Sequence, residues 1–212
     1  MNNNNSSKQI LLSVLGVAIL VVAVVGISFA AFSYSKTGIV ENTITTGTIT
    51  MTYTEPTNGI NLTDALPITD TAGKALSGDN NTFDFTVGAT IAGDTKINYV
   101  ISAVKTDDSD LPDSAVKVYL TATNGKTETA VFEPKLVSQL DKTVAGNDAG
   151  AQADQYVLKT GTYSATTNEN YRLRMWVDSN YGQHTDSANT TEFATQHKYI
   201  LKVNVYGAAK AQ

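Results

Sequence analysis

The sequence predicts an all-β protein, an antiparallel β-sandwich of jelly-roll-like or immunoglobulin-like kind, with one short helix and an N-terminal hydrophobic signal or transmembrane helix. Segments that alternate apolar and polar residues recur along the chain, and this period of two is typical of half-buried strands. Gly occurs 15 times and Pro four times, beside abundant Thr and Asn, a composition that favours strands and turns. No helical pattern alternates with these strands, so a parallel sheet with crossover helices is not expected.

An uncharged apolar run of 23 residues extends from Ile10 to Phe32. As a helix at about 1.5 Å per residue, it is long enough to cross the hydrocarbon core of a bilayer. Small residues at Ser28 and Ala30 suit the subsites of a signal peptidase, which predicts a signal peptide over residues 1–30, cut between Ala30 and Ala31. The run is longer than the apolar part of an ordinary signal peptide, so an uncleaved membrane anchor is the alternative.

The body that follows, residues 31–212, is acidic and contains no cysteine, and the whole chain has a formal net charge of −5. Because the body lacks a cluster of Lys and Arg, neither nucleic acid nor anionic lipid is expected as a partner. The absence of Cys excludes disulfides, thiolate metal sites and cysteine nucleophiles. These features favour a secreted or cell-surface protein of a bacterium with a single membrane.

The first half of the body predicts three clear strands, at 48–54, 82–90 and 96–105. In the first of these, Ile49, Met51 and Tyr53 alternate with threonines. A change of parity at Gly47 predicts a bend or bulge ahead of this strand. Residues 60–81 mix apolar and polar residues without a clear period, which predicts an ordered loop or a short edge strand.

The second half predicts further strands at 116–120, 127–132, 155–158, 171–177 and 199–206. Asn124-Gly125 predicts a two-residue hairpin turn between the first two of them. Pro134–Lys142 is the predicted helix, because it has a proline at its start and leucine and valine residues on one side. Residues 145–154 predict a flexible loop or a poor helical turn. Eight or nine strands are expected in all.

Four acidic residues of one loop are candidates for a calcium site, because carboxylate oxygens are ligands that Ca²⁺ prefers. They are Asp107, Asp108, Asp110 and Asp113. Their spacing lacks the regularity and the distal Glu of an EF-hand loop. A solvated acidic turn is therefore the favoured interpretation, and neither a metal nor another cofactor is predicted.

No catalytic constellation is visible in the sequence, and no enzymatic activity is predicted. The two histidines, His184 and His197, lack a zinc-binding spacing, and neither a nucleophile elbow nor a phosphate-binding glycine loop occurs. Trp176 shares one face of a predicted strand with Arg172 and Arg174. This face is predicted to be either a ligand platform or, as the favoured interpretation, a surface packed under a loop or another subunit.

Two stretches at the join of leader and body, Gly26–Thr37 (GISFAAFSYSKT) and Asn42–Met51 (NTITTGTITM), carry a family pattern. They resemble bacterial precursors with SipW-type signal peptides, the TasA/camelysin group of biofilm fibre and surface proteins. Tyr34 stands where the family pattern has Asp, and Thr46 stands where it often has Ala. Camelysin members are described as peptidases, but no peptidase activity is expected of this chain because it has no metalloprotease motif.

The resemblance implies a jelly-roll-like sandwich that polymerises by donor-strand complementation, in which a freed N-terminal segment of one subunit completes the sheet of the next. The implied donor segment is the extended stretch 31–42, ahead of a sandwich domain at 43–212. The residues expected to take part in this pairing are Ala31, Phe32, Ser33, Tyr34, Ile39, Val40 and Ile44. Main-chain pairing supplies affinity with little demand on sequence, which suits this charge-poor segment.

The favoured function is that of a non-enzymatic structural subunit of surface or biofilm-matrix fibres. Its expected partners are further copies of itself, the signal peptidase and other matrix or surface components, with the membrane a partner only through the leader before cleavage. The alternative is a monomeric surface domain, anchored by an uncleaved leader, that binds a glycan or a host protein through the Trp176 face or a loop. A third interpretation is a surface hydrolase.

Overall fold

The computed structural model describes residues 33–37, 44–46, 49–57, 59–60, 66–92, 95–181 and 198–210. Ten strands lie within these residues. They are β1 (Ser33–Thr37), β2 (Ile44–Thr46), β3 (Ile49–Thr54), β4 (Thr82–Ile91), β5 (Lys96–Lys105), β6 (Val116–Asn124), β7 (Thr127–Leu136), β8 (Tyr156–Tyr163), β9 (Thr167–Val177) and β10 (Leu201–Lys210). One short α-helix, α1 (Asp70–Lys74), and a 3-10 turn at Val137–Gln139 are the other regular elements of this part of the chain.

The strands form two sheets, and the predicted all-β class is confirmed. The four-stranded sheet has the order β1-β10-β5-β8, and the six-stranded sheet has the order β2-β3-β4-β9-β6-β7. Every pair of neighbouring strands in the two sheets is antiparallel. Most successive strands of the chain lie in different sheets, so the chain passes back and forth between them.

The two sheets pack face to face on one hydrophobic core. Both contribute alternate residues to it, as a period of two predicts, and Tyr53, Val87 and Ile97 are fully buried examples. The approach of the sheets is very close at Gly207 of β10, where an added Cβ would lie 2.0 Å from Sδ of Met51 in β3. Close packing therefore requires a glycine at this position.

The segment 145–154 is a loop, one of its two predicted forms, and not a helical turn. It covers the outer face of the four-stranded sheet, where two of its alanines are buried together with Val100 and Tyr206. The side-chain amide of Asn147 holds the loop in shape by donating to two backbone carbonyl oxygens, each at 2.7 Å. The four-stranded sheet is thus covered on both faces at this point.

The predicted helix at Pro134–Lys142 is wrong. Residues up to Leu136 belong to β7, and only Val137–Gln139 form a single 3-10 turn. β7 is the edge strand of its sheet, where a proline is tolerated because no further strand needs its missing N–H. The short α-helix of the described residues lies instead at Asp70–Lys74, in a stretch for which the sequence predicts a loop or an edge strand.

Candidate functional site

The predicted donor segment is represented in the structure by β1, which forms the outermost strand of the chain's own four-stranded sheet. β1 runs antiparallel to β10, from Ser33 opposite Ala208 to Thr37 opposite Asn204. Tyr34, the next predicted pairing residue, lies opposite Gly207. The predicted residues that lie outside the described part of the chain are Ala30, Ala31, Phe32, Ile39 and Val40, together with the rest of the leader.

β10 offers more backbone than β1 uses. On one side it pairs with β5 along its whole length of ten residues. On the other side, within the described residues, it pairs with the five residues of β1. Unpaired backbone groups at a sheet edge are a template for a further strand. Within the described part of the chain, five of the ten residues of β10 have a partner in β1.

β10 is anchored on both of its faces, so its position does not depend on β1 alone. Val203 and Val205 enter the core between the sheets, and Asn204 and Tyr206 are buried on the opposite face. Gln155 accepts a hydrogen bond from Nδ2 of Asn204 at 3.3 Å and donates from Nε2 to the Tyr206 hydroxyl at 2.8 Å. A strand fixed in this way is a rigid acceptor for pairing.

Ile44, another predicted pairing residue, lies in the other sheet. It begins β2 and stands opposite Met51 of β3, so β2 is an edge strand of the six-stranded sheet. Met51 also packs against β10 at Gly207, which places β1 and β2 at the edges of the two sheets on the same side of the sandwich. The structure therefore separates Ile44 from Ser33 and Tyr34, which pair with β10.

The four acidic candidates for a calcium site are not brought together. The carboxylate of Asp113 accepts hydrogen bonds from the hydroxyls of Tyr199, at 2.7 Å, and Tyr156, and Nζ of Lys105 lies 3.4 Å away. Burial disfavours the charge of Asp113, but these partners outweigh burial and lower its pKa. The other three candidates, Asp107, Asp108 and Asp110, are exposed. Among the described residues, no group of three His or acidic side chains is placed to hold a metal ion.

Trp176 is not a ligand platform, because it is only 1% exposed. The helix α1 lies over it, and a Cβ added at Gly73 would be 2.3 Å from the indole ring. The favoured prediction is a face packed under a loop or another subunit; the face is indeed covered, but by the helix α1 of the same chain. The indole Nε1 is buried without a hydrogen-bond partner in the described part of the chain. A ligand can reach this ring only if α1 moves.

The arginines of β9 form a charge network that no local pattern predicts. Arg174, 4% exposed, donates to Glu128 of β7 at 2.7 and 3.0 Å. Arg172 donates to the same carboxylate at 2.8 Å and to Asp84 of β4 at 2.6 and 2.7 Å. The hydrogen bonds from Arg174 outweigh partial burial and lower the pKa of Glu128 to about 2. Alternation places both arginines on the outer face of β9, but their partners come from other strands.

The remaining predicted residues, His184 and His197, lie outside the described residues, so the hydrolase interpretation rests on the sequence alone. No helix with the length and hydrophobicity of a membrane span occurs in the part of the chain that the structure describes. Comparison with protein-family models, with curated proteins and with solved structures finds no match to this chain.

Proposed function

We propose that the mature chain is an extracellular, non-enzymatic structural subunit that polymerises into surface or biofilm-matrix fibres by exchange of its N-terminal strand. In the polymer, the segment 31–42 of one subunit takes the place of β1 beside β10 of the next. The observation that carries the proposal is that β1 occupies this place within its own chain. A strand that pairs with its own sheet has the register to pair with the same sheet in a second copy.

The number of residues that pair with β10 decides whether a strand of the same chain or a strand of another chain is favoured beside it. The five backbone positions of β1 form the same bonds whether the strand comes from the same chain or from another. The segment 31–42 has twelve residues, so a donated strand is long enough to extend along all ten residues of β10. Each additional backbone hydrogen bond contributes roughly 0.5–1.5 kcal/mol. The longer pairing stabilises the polymer relative to the self-completed monomer.

The proposed fold is a jelly roll, and the strand pairing supports it. With β2 and β3 set aside as an extension of one sheet, the remaining strands pair first with last, as β1–β10, β4–β9, β5–β8 and β6–β7. This nested pairing is the pattern of a jelly roll, in which two Greek keys fill two sheets. The fold places the first strand at an edge, which is the position from which a strand can be exchanged.

The predicted leader acts before assembly. As long as the apolar run ending at Phe32 is joined to the chain, it ties the donor segment to the membrane. Cleavage between Ala30 and Ala31 by the signal peptidase frees the segment for pairing. The subunit therefore becomes competent to polymerise only after export, and its partners in the fibre are copies of itself and other matrix components.

The first test compares the mature chain, residues 31–212, with a chain that begins at residue 43. We expect filaments of the mature chain in electron micrographs and soluble monomers of the shortened chain. Circular dichroism of the shortened chain shows whether the sandwich remains folded without β1. Unchanged filaments from a folded, shortened chain would rule out strand exchange.

A cysteine experiment tests the exchange itself, since the chain contains no Cys. Ser33 and Ala208 face each other across β1 and β10, and facing residues of antiparallel strands lie about 4.5–5.5 Å apart, within disulfide range. The single variants Ser33→Cys and Ala208→Cys are mixed, allowed to polymerise and oxidised.

Exchange predicts a disulfide-linked dimer that contains one copy of each variant. The matched control mixes Ser33→Cys with Thr162→Cys, which lies on β8 two strands away from β10, and it is expected to give no such dimer. Filaments that contain only unlinked chains in the first mixture would show that the strand stays in its own subunit.

A further inference from the structure

A groove on the outer face of the six-stranded sheet has no part in the proposed strand exchange. It has a volume of about 550 Å³ and lies beside the hairpin turn that joins β6 and β7. Lys126 lines it at the turn, and the strand side chains that line it include Asp84, Thr86, Thr123, Glu128, Asn170 and Arg172. They come from four neighbouring strands and lie on the face of the sheet opposite to the core.

One wall of the groove is a guanidinium group held from two sides. Asp84 accepts from Nε and Nη2 of Arg172 at 2.7 and 2.6 Å, and Glu128 accepts from Nη1 at 2.8 Å. This pairing fixes the plane of the guanidinium and leaves two of its five N–H donors for a ligand. Since Arg174 also pairs with Glu128, two arginines balance two carboxylates, and the wall carries little net charge.

The base of the groove offers uncharged hydrogen-bonding groups in fixed positions. Oγ1 of Thr86 donates to Oδ1 of Asn170 at 2.8 Å, which orients the amide. No described residue accepts a hydrogen bond from Nδ2 of Asn170, so this donor is available. Thr123 stands beside Asn170 on the next strand and adds a hydroxyl group. Preorganised groups of this kind bind without a large cost of ordering.

The polar base continues as a row across five strands. The residues in register are Thr54, Thr86, Asn170, Thr123 and Glu128. Neighbouring strands lie about 4.8 Å apart, so this row spans about 19 Å. In the row beside it, a Cβ added at Gly88 would lie 2.5 Å from Oγ1 of Thr52 and 2.8 Å from Oδ1 of Asn168, so these two polar groups occupy the space above the glycine.

We propose that this groove binds a neutral polysaccharide chain. The aromatic rings nearest to it, Phe85 and Tyr171, are buried in the core, so its described surface lacks the apolar anchors on which protein partners rely. Its carboxylates and arginines are paired, Lys126 at the hairpin turn adds a single positive charge, and the chain carries a net charge of −5, so the groove lacks the cluster of cations that nucleic acids and acidic glycans need. Hydroxyl, amide, carboxylate and guanidinium groups match the closely spaced hydroxyls of sugars. The length of the row fits an extended chain better than a single sugar.

One such groove binds weakly, because it offers no aromatic ring on which a sugar can stack. A fibre repeats the groove once in each subunit, and a long polysaccharide can contact many of them. Multivalent contact of this kind raises the overall affinity by about 10²–10⁴. This gain rests on the proposed polymerisation, whereas binding by a single groove does not.

The test adds the mature chain to fluorescently labelled neutral hexasaccharides of glucose, galactose or N-acetylglucosamine and follows the fluorescence anisotropy. The variant Thr86→Ala/Asn170→Ala removes the hydrogen-bonded pair at the base of the groove. The matched control, Asn98→Ala/Thr162→Ala, removes an equivalent pair, joined at 2.7 Å, from the other sheet. We expect at least one neutral hexasaccharide to bind, a loss of about tenfold in affinity in the groove variant, and no change in the control.

Three results would overturn the proposal: no binding of any neutral hexasaccharide, equal loss in both variants, or tighter binding of an acidic hexasaccharide of galacturonic acid. Equal melting temperatures of the two variants exclude unfolding as the cause of a loss. Both variants are expected to form filaments as the unchanged chain does. If they do so and no sugar binds, the groove proposal fails while strand exchange stands.

Discussion

The two open sides of the sandwich carry edge strands of very different length. On one side the sheets end in β1 and β2, which have five and three residues. On the other side they end in β7 and β8, which have ten and eight residues. Long edge strands are the usual sites of unwanted pairing with other chains. In this protein the long edges are the protected ones.

The protection of β7 and β8 has identifiable causes. Pro134 removes one N–H donor from β7, and the exposed Glu133 places a charge on the same strand. The pairing of β7 with β6 is also interrupted by shifts of register, which twist an edge away from a flat partner. On β8, Nζ of Lys159 lies 3.4 Å from Glu169 of β9, an ion pair that connects the two sheets.

The difference between the two sides of the sandwich predicts that the proposed polymer grows along a single line. Backbone pairing is available beside β10, where β1 is short, and is hindered along β7 and β8. A subunit that donates one strand and accepts one strand grows into a linear polymer. A subunit with two open sides would grow into a network instead. Four predictions test the contrast between the exchange side, β1 and β2, and the protected side, β7 and β8.

The largest effect is expected from Gly207→Val, on the exchange side. The added Cβ would lie 2.0 Å from Sδ of Met51 and 3.3 Å from Cγ2 of Ile97, and Met51 is 1% exposed, so it has little room to move. We expect the free energy of unfolding to fall by about 2–3 kcal/mol in chemical denaturation, with loss of filaments. The control Gly59→Ala adds a Cβ with no atom within 4 Å and should change little. Full stability of Gly207→Val would contradict the close approach of the sheets.

On the protected side, Glu128→Gln is expected to lower the free energy of unfolding by about 1–3 kcal/mol, because buried Arg174 loses its charged partner. Filaments should persist, since the change is far from β10. The matched control on the same strand is Glu133→Gln, which removes the charge from an exposed ion pair with Lys74 and should change the free energy of unfolding little. Similar losses in both variants would show that the burial of Arg174 does not matter.

Acid should weaken the protected side through the same carboxylate. The pKa of Glu128 is lowered from 4.5 to about 2 by Arg174, so folding favours its charged form. Its contribution to stability is therefore complete above pH 4.5 and is lost as the pH falls toward about 2. Asp113, whose pKa is also lowered, adds to the loss in the same direction. As the pH falls across this range, the melting temperature should decrease less steeply for Glu128→Gln than for the unchanged chain. Equal decreases in both would show that Glu128 does not contribute to the loss of stability in acid.

The smallest change in stability, within about 0.5 kcal/mol, is expected from Pro134→Val, which restores an N–H donor to β7. The effect should appear in association instead, as lateral pairing of subunits or filaments detected by light scattering. The control Pro112→Val alters a proline of a loop and should leave the scattering unchanged. Unchanged scattering of Pro134→Val would assign the protection of β7 to its register shifts and charges.

The long strands could be predicted because their own residues carry the period of two. β5 is predicted and observed at 96–105. β9 begins at Thr167, four residues before its predicted start at Tyr171, because Glu169 interrupts the apolar alternation. The Tyr163 hydroxyl donates to Glu169 at 2.8 Å, a compensation that only the folded structure shows. Local pattern therefore predicts a strand where the core-facing side chains are apolar. It misses the strand where a core-facing side chain is polar and forms hydrogen bonds inside the fold.

The features that the sequence does not predict depend on distant parts of the chain. At Pro134–Lys142 the spacing of the apolar residues fits a helix, and the position of β7 at a sheet edge decides otherwise. The burial of Trp176 depends on α1, about a hundred residues earlier in the chain. The proposed site of exchange is likewise a relation between the first and last strands. The sequence predicts a donor at 31–42, but the place of β1 beside β10 required the structure.

Trp176 is the single tryptophan of the chain, and its place under α1 makes it an optical reporter that needs no added dye. The ring lies on the outer face of the six-stranded sheet, whereas β1 and β10 belong to the other sheet. Its emission should stay constant while strands are exchanged and shift to longer wavelength when α1 detaches or the domain unfolds. Assembly and unfolding can thus be followed separately in one sample, by scattering and by fluorescence.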